Sequence, residues 1–351
     1  MKAAVMEEHQ KPLVVREMPD PTCGPDAIVM RVEANGVCRS DWHLWMGDWS
    51  WVGLAVNPPA VLGHEFCGVI EEVGKDVKNF KKGDRVVTPF CQGEGNCEFC
   101  RSGNSHMCMM PKIPGLSYYG GFGRYVEVPA ADLNVVTLPE EVGLVEGASI
   151  GCRFMTAFHG IVDRANVRPG EWVAVHGCGG VGLSAIHIAS AIGAQVIGID
   201  LDDAKLDLAK TAGAAHVINA KRDEPISSIR QITGGGAHVA VDALGVAATC
   251  RNAIMCLRKQ GRHLQIGLTT SVEQGEIAMP IDMIVGMELA MFGSFGMPAT
   301  RYPAMLEMIA AGRLDPGKMV TSTCSLSGIN KVFGEMEKFQ NVGMTVLNDY
   351  S

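Results

Sequence analysis

The sequence predicts an α/β protein in which a β-rich unit comes before a parallel sheet covered by helices on both faces. Three observations carry this prediction. Residues 1–153 hold short β-branched segments separated by turns. Strand-like and helix-like segments alternate through residues 154–291, which is typical of a parallel sheet. A glycine-rich turn in the second region follows a strand and opens a helix.

The first region is predicted to be β-rich because its apolar segments are short and bounded by turn residues. The predicted strands lie in AIVMRVEANGVC, FCGVIEEVG, GDRVVTPF and GRYVEVPA, and turns such as GPD, KKGD and GEGN separate them. This pattern favours an all-β or barrel-like unit.

The second region alternates between buried strands and amphipathic or apolar helices. The predicted strands are WVAVHG, QVIGID, HVIN, HVAVDAL, RHLQIGL and ELAMFGSF, and two clear helices are VGLSAIHIASAIG and AKLDLAKTAGA. Residues 292–351 contain a helix around YPAMLEMIAAG and a strand-like MTVL. We expect this last strand to return to the first unit.

Composition and charge exclude several classes of partner. The chain has 351 residues and a formal net charge of −8, so a nucleic-acid partner is not expected. The opening segment MKAAVMEEHQKPLVV has acidic residues where a signal peptide would need an apolar core. Residues 172–199 contain no Asp, Glu, Lys or Arg, and an uncharged run of this length could span a membrane. The run contains several glycines, however, and divides into strand, turn, helix and strand. We therefore predict a cytoplasmic protein with no membrane span.

The glycine-rich turn GCGGVG at residues 177–182 has the G-x-G-x-x-G form of a dinucleotide site. The helix that it opens offers free N–H groups and a positive dipole end to a pyrophosphate. Asp200 ends the next strand and is expected to accept hydrogen bonds from the adenosine ribose, and Lys205 lies within reach of the same ribose. An acid at this position would repel a 2′-phosphate, which predicts NAD over NADP. The predicted cofactor residues are Gly177, Gly179, Gly180, Val181, Gly182, Asp200 and Lys205.

Cys38, His64 and Cys152 form the first candidate metal set. Two thiols and one imidazole are a three-ligand zinc set that leaves the fourth position for water or substrate. Two thiolates also balance the charge of the ion. Each residue has a plainer alternative, because a lone cysteine is often a small buried hydrophobe and His64 could be a hydrogen-bonded core imidazole. Because the three residues are spread over more than a hundred positions, their spacing alone does not establish that they bind one metal ion.

Cys97, Cys100 and Cys108 form a second, local set of thiols. The C-x-x-C spacing lets two sulfurs meet one tetrahedral ion, and metal binding is more usual than disulfides for such clusters in the cytosol. Glu94 stands three residues before Cys97 and continues the register, so it is the favoured fourth ligand, with Cys91 as the alternative. Four protein ligands would close the site, whose role would then be to fold a loop.

Taken together, these motifs resemble those of the zinc-dependent medium-chain alcohol dehydrogenases over essentially the whole chain. The matching segments, in order, are GVCRSDWH, GHEFCGVIEEVG, the thiolate loop at 94–108, GCRFMTAFHG, GCGGVG and GID. The resemblance implies a GroES-like catalytic domain at 1–153, completed by 292–351, and an NAD-binding Rossmann domain at 154–291. The fold class is then α/β, a β-rich GroES-like domain plus a doubly wound parallel sheet.

The resemblance also implies roles for the first metal set and its neighbours. Cys38, His64 and Cys152 would be the catalytic zinc ligands. Glu65 would be a nearby carboxylate that can approach the metal during ligand exchange. Asp41 would orient the ligating imidazole, a kind of support that raises ligand basicity.

Four further roles follow from the same resemblance. Ser40 would contact the zinc-bound alcohol, and His43 would be the outer end of a proton relay, a step that suits a group titrating near neutral pH. Arg39 would contact the cofactor pyrophosphate, and Thr156 would pack under the nicotinamide. Glu94 stands where the family usually has the first cysteine of a four-thiolate loop, which leaves the occupancy of that zinc site open.

The activity implied is reversible hydride transfer between a primary or secondary alcohol and NAD. Trp42, Trp45, Trp49 and Trp51 crowd the segment after Cys38, and they would either line a large apolar pocket for a hydrophobic alcohol or form a packing cluster. A polyol or sugar dehydrogenase and a non-catalytic zinc and dinucleotide binder are the alternatives. Relatives are dimers or tetramers, so a homo-oligomer is expected, and the partner is a small-molecule alcohol or aldehyde.

Overall fold

Two units make up the computed structural model, which describes residues 1–351. One unit contains Met1–Met155 and Gly296–Ser351, and the other contains Thr156–Phe295. The α/β class that the sequence predicts is confirmed, because one unit is rich in strands and the other has a six-stranded parallel sheet. No helix is both long and apolar enough to cross a membrane.

The first stretch of the chain is mostly strand with short helices. Its strands are β1 (Lys2–Met6), β2 (Val14–Glu17), β3 (Ile28–Val37), β4 (Ala60–Val61), β5 (Glu65–Val73), β6 (Arg85–Val87), β7 (Tyr125–Val128) and β8 (Val136–Thr137). Its helices are α1 (Arg39–Met46), α2 (Glu98–Arg101), α3 (Ala131–Asn134) and α4 (Leu144–Ser149). The predicted strands in this region all appear, and α1 begins one residue after Cys38.

A π-helical turn at Ile150–Phe154 leads into α5 (Met155–Phe158), and a second π-helical turn follows at His159–Arg164. The strands of the second unit are β9 (Trp172–His176), β10 (Gln195–Asp200), β11 (His216–Asn219), β12 (Ala237–Asp242), β13 (Leu257–Gln265) and β14 (Ala290–Gly293). Its helices are α6 (Gly180–Ile192), α7 (Asp203–Ala212), α8 (Pro225–Thr233), α9 (Ala247–Met255) and α10 (Ile281–Gly286).

The sheet of this unit has the order β11-β10-β9-β12-β13-β14, and all its pairs are parallel. The strand order reverses between β9 and β12. Ligands of doubly wound sheets bind beyond the carboxyl ends of the strands at such a reversal. β9 and β10 are buried almost throughout, as expected for strands covered on both faces.

The last stretch of the chain contributes α11 (Tyr302–Ala310), β15 (Val320–Ser325), α12 (Ile329–Glu337) and β16 (Met344–Asp349). The strand predicted at MTVL is β16, and it pairs antiparallel with β3, with Thr345 opposite Val37. The main sheet of this unit therefore has the order β15-β16-β3-β5-β6-β8, and β7 also pairs with β3. A smaller sheet has the order β2-β1-β4.

The apolar core of the strand-rich unit lies against β1, β3 and β5 and the face of α12. Its largest fully buried members include Phe66, Phe122 and Phe333. Trp42 and Trp49 belong to this core, whereas the side chain of Trp51 is exposed. The four tryptophans of this segment therefore do not act as one group, because two of them pack inside the unit and one faces solvent.

Candidate functional site

Asp41 organises the first candidate metal site from the first turn of α1. Its carboxylate is fully buried, and Oδ2 accepts a hydrogen bond from the backbone N–H of Cys38 at 3.0 Å. Oδ1 accepts from the backbone N–H of Gly63 at 3.1 Å and from Nδ1 of His64 at 2.7 Å. One carboxylate thus holds the residue after β3 against the residue before β5.

The ring of His64 is fixed with its other nitrogen pointing to a cluster of potential ligands. Nε2 is buried and makes no hydrogen bond. The ligand atoms of Cys38, His64, Glu65 and Cys152 all lie within 4.8 Å of one another, and all four residues are buried. A buried imidazole nitrogen without a partner, beside two thiols, fits a zinc ion with N and S ligands. The structure therefore brings the three sequence-predicted ligands together.

The pKa values in this cluster reflect shared protons and close charges. A hydrogen bond from Cys152 lowers the pKa of Cys38 well below its ordinary range, and the same pair raises the pKa of Cys152. Burial opposes a charged His64, but the Asp41 carboxylate and the Cys38 sulfur raise its pKa well above the ordinary value. Metal ions bind deprotonated thiols and the neutral imidazole, so a divalent cation here would displace the protons that this cluster holds.

Glu65 lies beside this cluster but is held by Arg153. The backbone N–H and Nε of Arg153 each donate to Oε1 of Glu65 at 2.9 Å, and Nη2 donates to Oε2. Burial raises the pKa of the Glu65 carboxyl, and the charge of Arg153 opposes that effect. Arg153 is not among the residues that the sequence motifs indicate. No local sequence pattern indicates that Arg153 pairs with Glu65, because the two residues are 88 positions apart in the chain.

Ser40 and His43 follow Cys38 on α1. Ser40 is half-buried. His43 is buried, its Nδ1 lies 2.7 Å from Oδ2 of Asp48, and its ring stacks on Trp49 with the ring centroids 4.5 Å apart. Burial lowers the pKa of His43, against the effect of the Asp48 carboxylate. Asp48, the partner of this histidine, is not among the residues that the sequence motifs indicate.

Arg39 has partners of its own within the same unit. Its guanidinium lies 4.6 Å from the ring centroid of Trp42 and 4.2 Å from that of Phe339. Nη1 donates a hydrogen bond to the carbonyl of Met336 at 2.7 Å. These contacts fix the guanidinium between two aromatic rings.

The second candidate metal site lies in the loop around α2. Ligand atoms of Glu94, Cys97, Cys100 and Cys108 lie within 4.8 Å of one another. The Sγ of Cys97 is 3.6 Å from that of Cys100 and 3.8 Å from that of Cys108. Oε1 of Glu94 accepts a hydrogen bond from the backbone N–H of Cys97 at 2.6 Å and lies 3.9 Å from the Sγ of Cys108.

Cys91, the alternative fourth ligand of that loop, is not part of the group. Its thiol is fully buried, and burial raises its pKa to about 12. A side chain added at Gly296 would collide with its sulfur, so the thiol packs closely against that backbone. The structure thus places Glu94, and not Cys91, with the three clustered thiols.

The glycine-rich turn in the second unit connects β9 to α6. Gly177 has a φ of 93°, which a side chain would strain. A side chain at Gly182 would collide with the carbonyl oxygen of Gly177, whereas the space around Gly179 is open. Gly180 and Val181 begin α6 and are half-buried, so the turn leaves the helix N-terminus accessible to an anion.

Asp200 and Lys205 lie close to this turn, at the end of β10 and in α7. Oδ2 of Asp200 accepts a hydrogen bond from the backbone N–H of Cys178 at 2.8 Å, and Oδ1 accepts from those of Leu201 and Asp202. Lys205 is half-buried. In the same unit, Oγ1 of Thr156 is buried and has no hydrogen-bond partner.

Sequence comparisons place the chain among known dehydrogenases. The family described as "Alcohol dehydrogenase GroES-like domain" matches residues 24–140, and the family described as "Zinc-binding dehydrogenase" matches residues 180–311. An alcohol dehydrogenase from Geobacillus stearothermophilus is 36% identical over 99% of both chains. An NAD-dependent alcohol dehydrogenase from Sulfurisphaera tokodaii is 34% identical, also over 99% of both.

A comparison with solved structures also finds an alcohol dehydrogenase. The alcohol dehydrogenase TADH from Thermus sp. ATN1 superposes with a TM-score of 0.90 at 29% identity, and the match covers 100% of both chains.

Proposed function

Because the chain belongs to the zinc-dependent medium-chain alcohol dehydrogenase family, we propose that Cys38, His64 and Cys152 hold its catalytic zinc. The protein is an NAD-dependent oxidoreductase that interconverts an alcohol and the corresponding aldehyde or ketone. The observation that best supports this placement of the site is the unpartnered, buried Nε2 of His64 beside two thiols.

The residues around this cluster prepare it for the ion. Zinc, when bound, acts as a Lewis acid that lowers the pKa of an alcohol hydroxyl. Three protein ligands leave a coordination position for the substrate oxygen. Asp41 fixes the tautomer and orientation of His64, so that its Nε2 faces the two sulfurs.

We assign the proton of the alcohol to a relay through Ser40 and His43. Ser40 would accept the proton near the metal, and His43 would pass it to solvent. The carboxylate of Asp48 holds the imidazole of His43 through Nδ1, which leaves its Nε2 for proton exchange. The stacked ring of Trp49 keeps the imidazole in one plane.

We assign cofactor binding to the glycine-rich turn and its neighbours. Gly177, Gly179, Gly180, Val181 and Gly182 would receive the pyrophosphate, and Asp200 and Lys205 would contact the adenosine ribose. Arg39 would contribute a pyrophosphate contact, and Thr156 would pack under the nicotinamide. In the oxidative direction the alcohol carbon gives a hydride to NAD and the hydroxyl gives a proton to the relay, so the products are carbonyl compound, NADH and a proton.

We propose that the second cluster, formed by Glu94, Cys97, Cys100 and Cys108, holds a structural zinc. Four protein ligands would close this site to substrate, so its effect is on the folding of the loop. The hydrogen bond from the Cys97 backbone to Glu94 supports this set, since it holds the carboxylate next to the thiols.

Further properties are proposed on the family resemblance and the sequence. We propose a GroES-like domain at 1–153, completed by 292–351, and a Rossmann domain at 154–291. Hydrophobic primary or secondary alcohols are the proposed substrates. We also propose a homodimer or homotetramer, which sedimentation velocity would test, and a cytoplasmic location, supported by twelve cysteines that are all free thiols.

Turnover of alcohols before and after removal of a metal ligand tests the proposal. NADH formation should be measured at 340 nm with a panel of alcohols and polyols, for the wild type and for Cys38→Ala. We expect the variant to lose turnover and one equivalent of zinc while it still binds NAD. Cys23→Ala is the matched control, because Cys23 is a half-buried thiol outside both clusters, and it should keep full activity. Retained turnover in Cys38→Ala would overturn the proposal.

A further inference from the structure

The Arg153–Glu65 pair lies directly beside the proposed zinc ligands. Arg153 follows Cys152, and Glu65 follows His64, so each member of the pair is joined to a ligand by one peptide bond. The carboxylate of Glu65 lies within 4.8 Å of the ligand atoms of Cys38, His64 and Cys152. We propose that Arg153 is a positioning residue that holds Glu65 back from the metal and so keeps the fourth coordination position open for substrate.

The carboxylate of Glu65 makes its hydrogen bonds with this one residue. Oε1 accepts from the backbone N–H and from Nε of Arg153, and Oε2 accepts from Nε and Nη2. Glu65 has no exposed surface and the Arg153 side chain is 7% exposed. Water cannot reach the Glu65 carboxylate and has little access to the Arg153 guanidinium, so each ion depends on the other for charge compensation.

The backbone around the pair leaves space for it on two sides. A side chain at Gly36 would collide with Oε2 of Glu65 and lie 2.9 Å from Nη2 of Arg153. Gly36 is opposite Glu65 in the pairing of β3 with β5, two residues before Cys38. A side chain at Gly151 would lie 2.9 Å from the Cα of Glu65. Gly36 therefore leaves room for the carboxylate, and Gly151 leaves room for the backbone of Glu65.

The π-helical turn at Ile150–Phe154 presents both Cys152 and Arg153 to this place. Single π-helical turns are frequent at functional sites. Here the turn directs the Cys152 sulfur to the cluster and lets the backbone N–H of Arg153 donate to Glu65. The same turn thus supplies one proposed ligand and restrains a competing one.

Carboxylate oxygen is an acceptable zinc ligand. Without Arg153, the buried carboxylate would lack a counter-ion next to a divalent cation, and coordination to that cation would compensate its charge. A carboxylate in the fourth position would exclude alcohol and retain the metal more firmly. This inference rests on the proposed zinc site.

The test uses the cobalt-substituted full-length protein, because the visible spectrum of Co²⁺ reports its coordination. Azide is the probe of the open position. We expect Arg153→Met to weaken azide binding by about 10-fold to 100-fold, to lower kcat/KM to a similar extent, and to slow the loss of Co²⁺ to a chelator. A role in stability alone would give faster metal loss, so unchanged or faster loss overturns the proposal.

The double variant Arg153→Met/Glu65→Gln tests whether the Glu65 carboxylate is the group that competes for the metal, as opposed to a role of Arg153 in stability alone. It also removes both buried charges, which favours folding. We expect it to recover azide binding and to lose Co²⁺ faster than Arg153→Met does. If the double variant binds azide as weakly as the single one, the carboxylate is not the competitor and the proposal is wrong. Arg153→Lys, which keeps the charge, should bind azide more tightly than Arg153→Met, and equal weakening in both would also overturn it.

Arg262→Met is the matched control. Arg262 forms a partly buried ion pair with Glu171 in the other unit and is not one of the residues of the cluster. The Arg262→Met variant should leave azide binding and the rate of Co²⁺ loss unchanged. If it changed both as much as Arg153→Met does, the proposal would be overturned. Failure of the zinc assignment itself would appear differently, as a wild-type protein whose cobalt spectrum is the same as that of Cys38→Ala.

Discussion

Nδ1 of His64 lies 2.7 Å from Oδ1 of Asp41, and the carboxylate of Asp41 also accepts backbone hydrogen bonds from Cys38 and Gly63. One buried side chain therefore sets both the direction of the imidazole and the distance between two chain segments. Because such support determines how well a histidine binds metal, Asp41 links the local fold to the proposed chemistry.

We expect Asp41→Asn to reduce zinc affinity at the Cys38 site by about 10-fold to 100-fold, because the amide is neutral and supports the imidazole less well. Competition with a chromophoric chelator measures this affinity. Asp132→Asn is the control, since Asp132, an exposed residue of α3, also accepts backbone hydrogen bonds, from Lys78 and Asn79. Equal zinc affinity in wild type and Asp41→Asn would contradict the role given to Asp41.

The acidic limb of the pH–rate profile of alcohol oxidation should depend on His43. Burial lowers the pKa of His43 below 6.5, so the neutral imidazole that can accept a proton persists below that pH. Asp48 raises this pKa, and so does the charge of Cys38, whereas the charge of Arg39 lowers it. Removing the carboxylate in Asp48→Asn therefore shifts the pKa further down, and the acidic limb of kcat should move to lower pH.

The same Asp48→Asn variant should lower kcat more than it raises KM, because the relay histidine is less well oriented while substrate contacts remain. For His43→Gln we expect a loss in kcat of about 10²-fold, typical of a lost acid–base group. Stopped-flow NADH formation between pH 5 and 9 measures both effects. A pH profile identical to that of the wild type in both variants would remove His43 from the proposed relay.

Cofactor preference should depend on Asp200. In Asp200→Ala the negative charge that opposes a 2′-phosphate is lost, together with the proposed hydrogen bonds to the ribose. Charged hydrogen bonds contribute about 1.5–3 kcal/mol, so the ratio of kcat/KM for NAD to that for NADP should fall about 10-fold to 100-fold. Asp203→Asn, three residues further on and paired with Arg222 at the surface, should leave the ratio unchanged. An unchanged ratio in Asp200→Ala would refute the assignment.

Zinc stoichiometry should separate the two clusters and identify the fourth ligand of the loop. We expect two zinc ions per chain in the wild type and one in Cys100→Ser, with a lower melting temperature because the loop loses its metal. Cys91→Ser should retain both ions, since its thiol lies outside the cluster. Elemental analysis and thermal unfolding measure these changes. Loss of a zinc ion from Cys91→Ser would show that Glu94 is not the ligand.

The sequence predicted four strands of the first stretch and all six strands of the second unit because local patterns determine them, whereas the strands β1, β2, β4, β8 and β15 were not predicted. Alternating β-branched segments marked β3 and β5, and the strand–glycine–helix pattern marked β9 and α6. The grouping of Cys38, His64 and Cys152 depended on the family resemblance, because no local rule relates residues so far apart in the chain.

Two neighbours of the site were not predicted, for different reasons. Arg153 pairs with Glu65 across a long stretch of chain, and its importance depends on space that Gly36 leaves on another strand. Asp48 lies only five residues from His43, but the contact requires the chain to turn at Gly47, which has a φ of 74°. Hydrogen bonds of this kind depend on tertiary geometry that residue types do not reveal.

The pairing of β16 with β3 has a consequence for how the protein matures. Thr345 lies opposite Val37, the residue immediately before Cys38, so the end of β3 that leads to the first proposed ligand, already paired with β5 on one side, gains its second neighbour only after residues 344–349 have left the ribosome. The second unit is synthesised between these two strands. Insertion of the catalytic ion is therefore expected to be a late event, completed after translation has passed through both units.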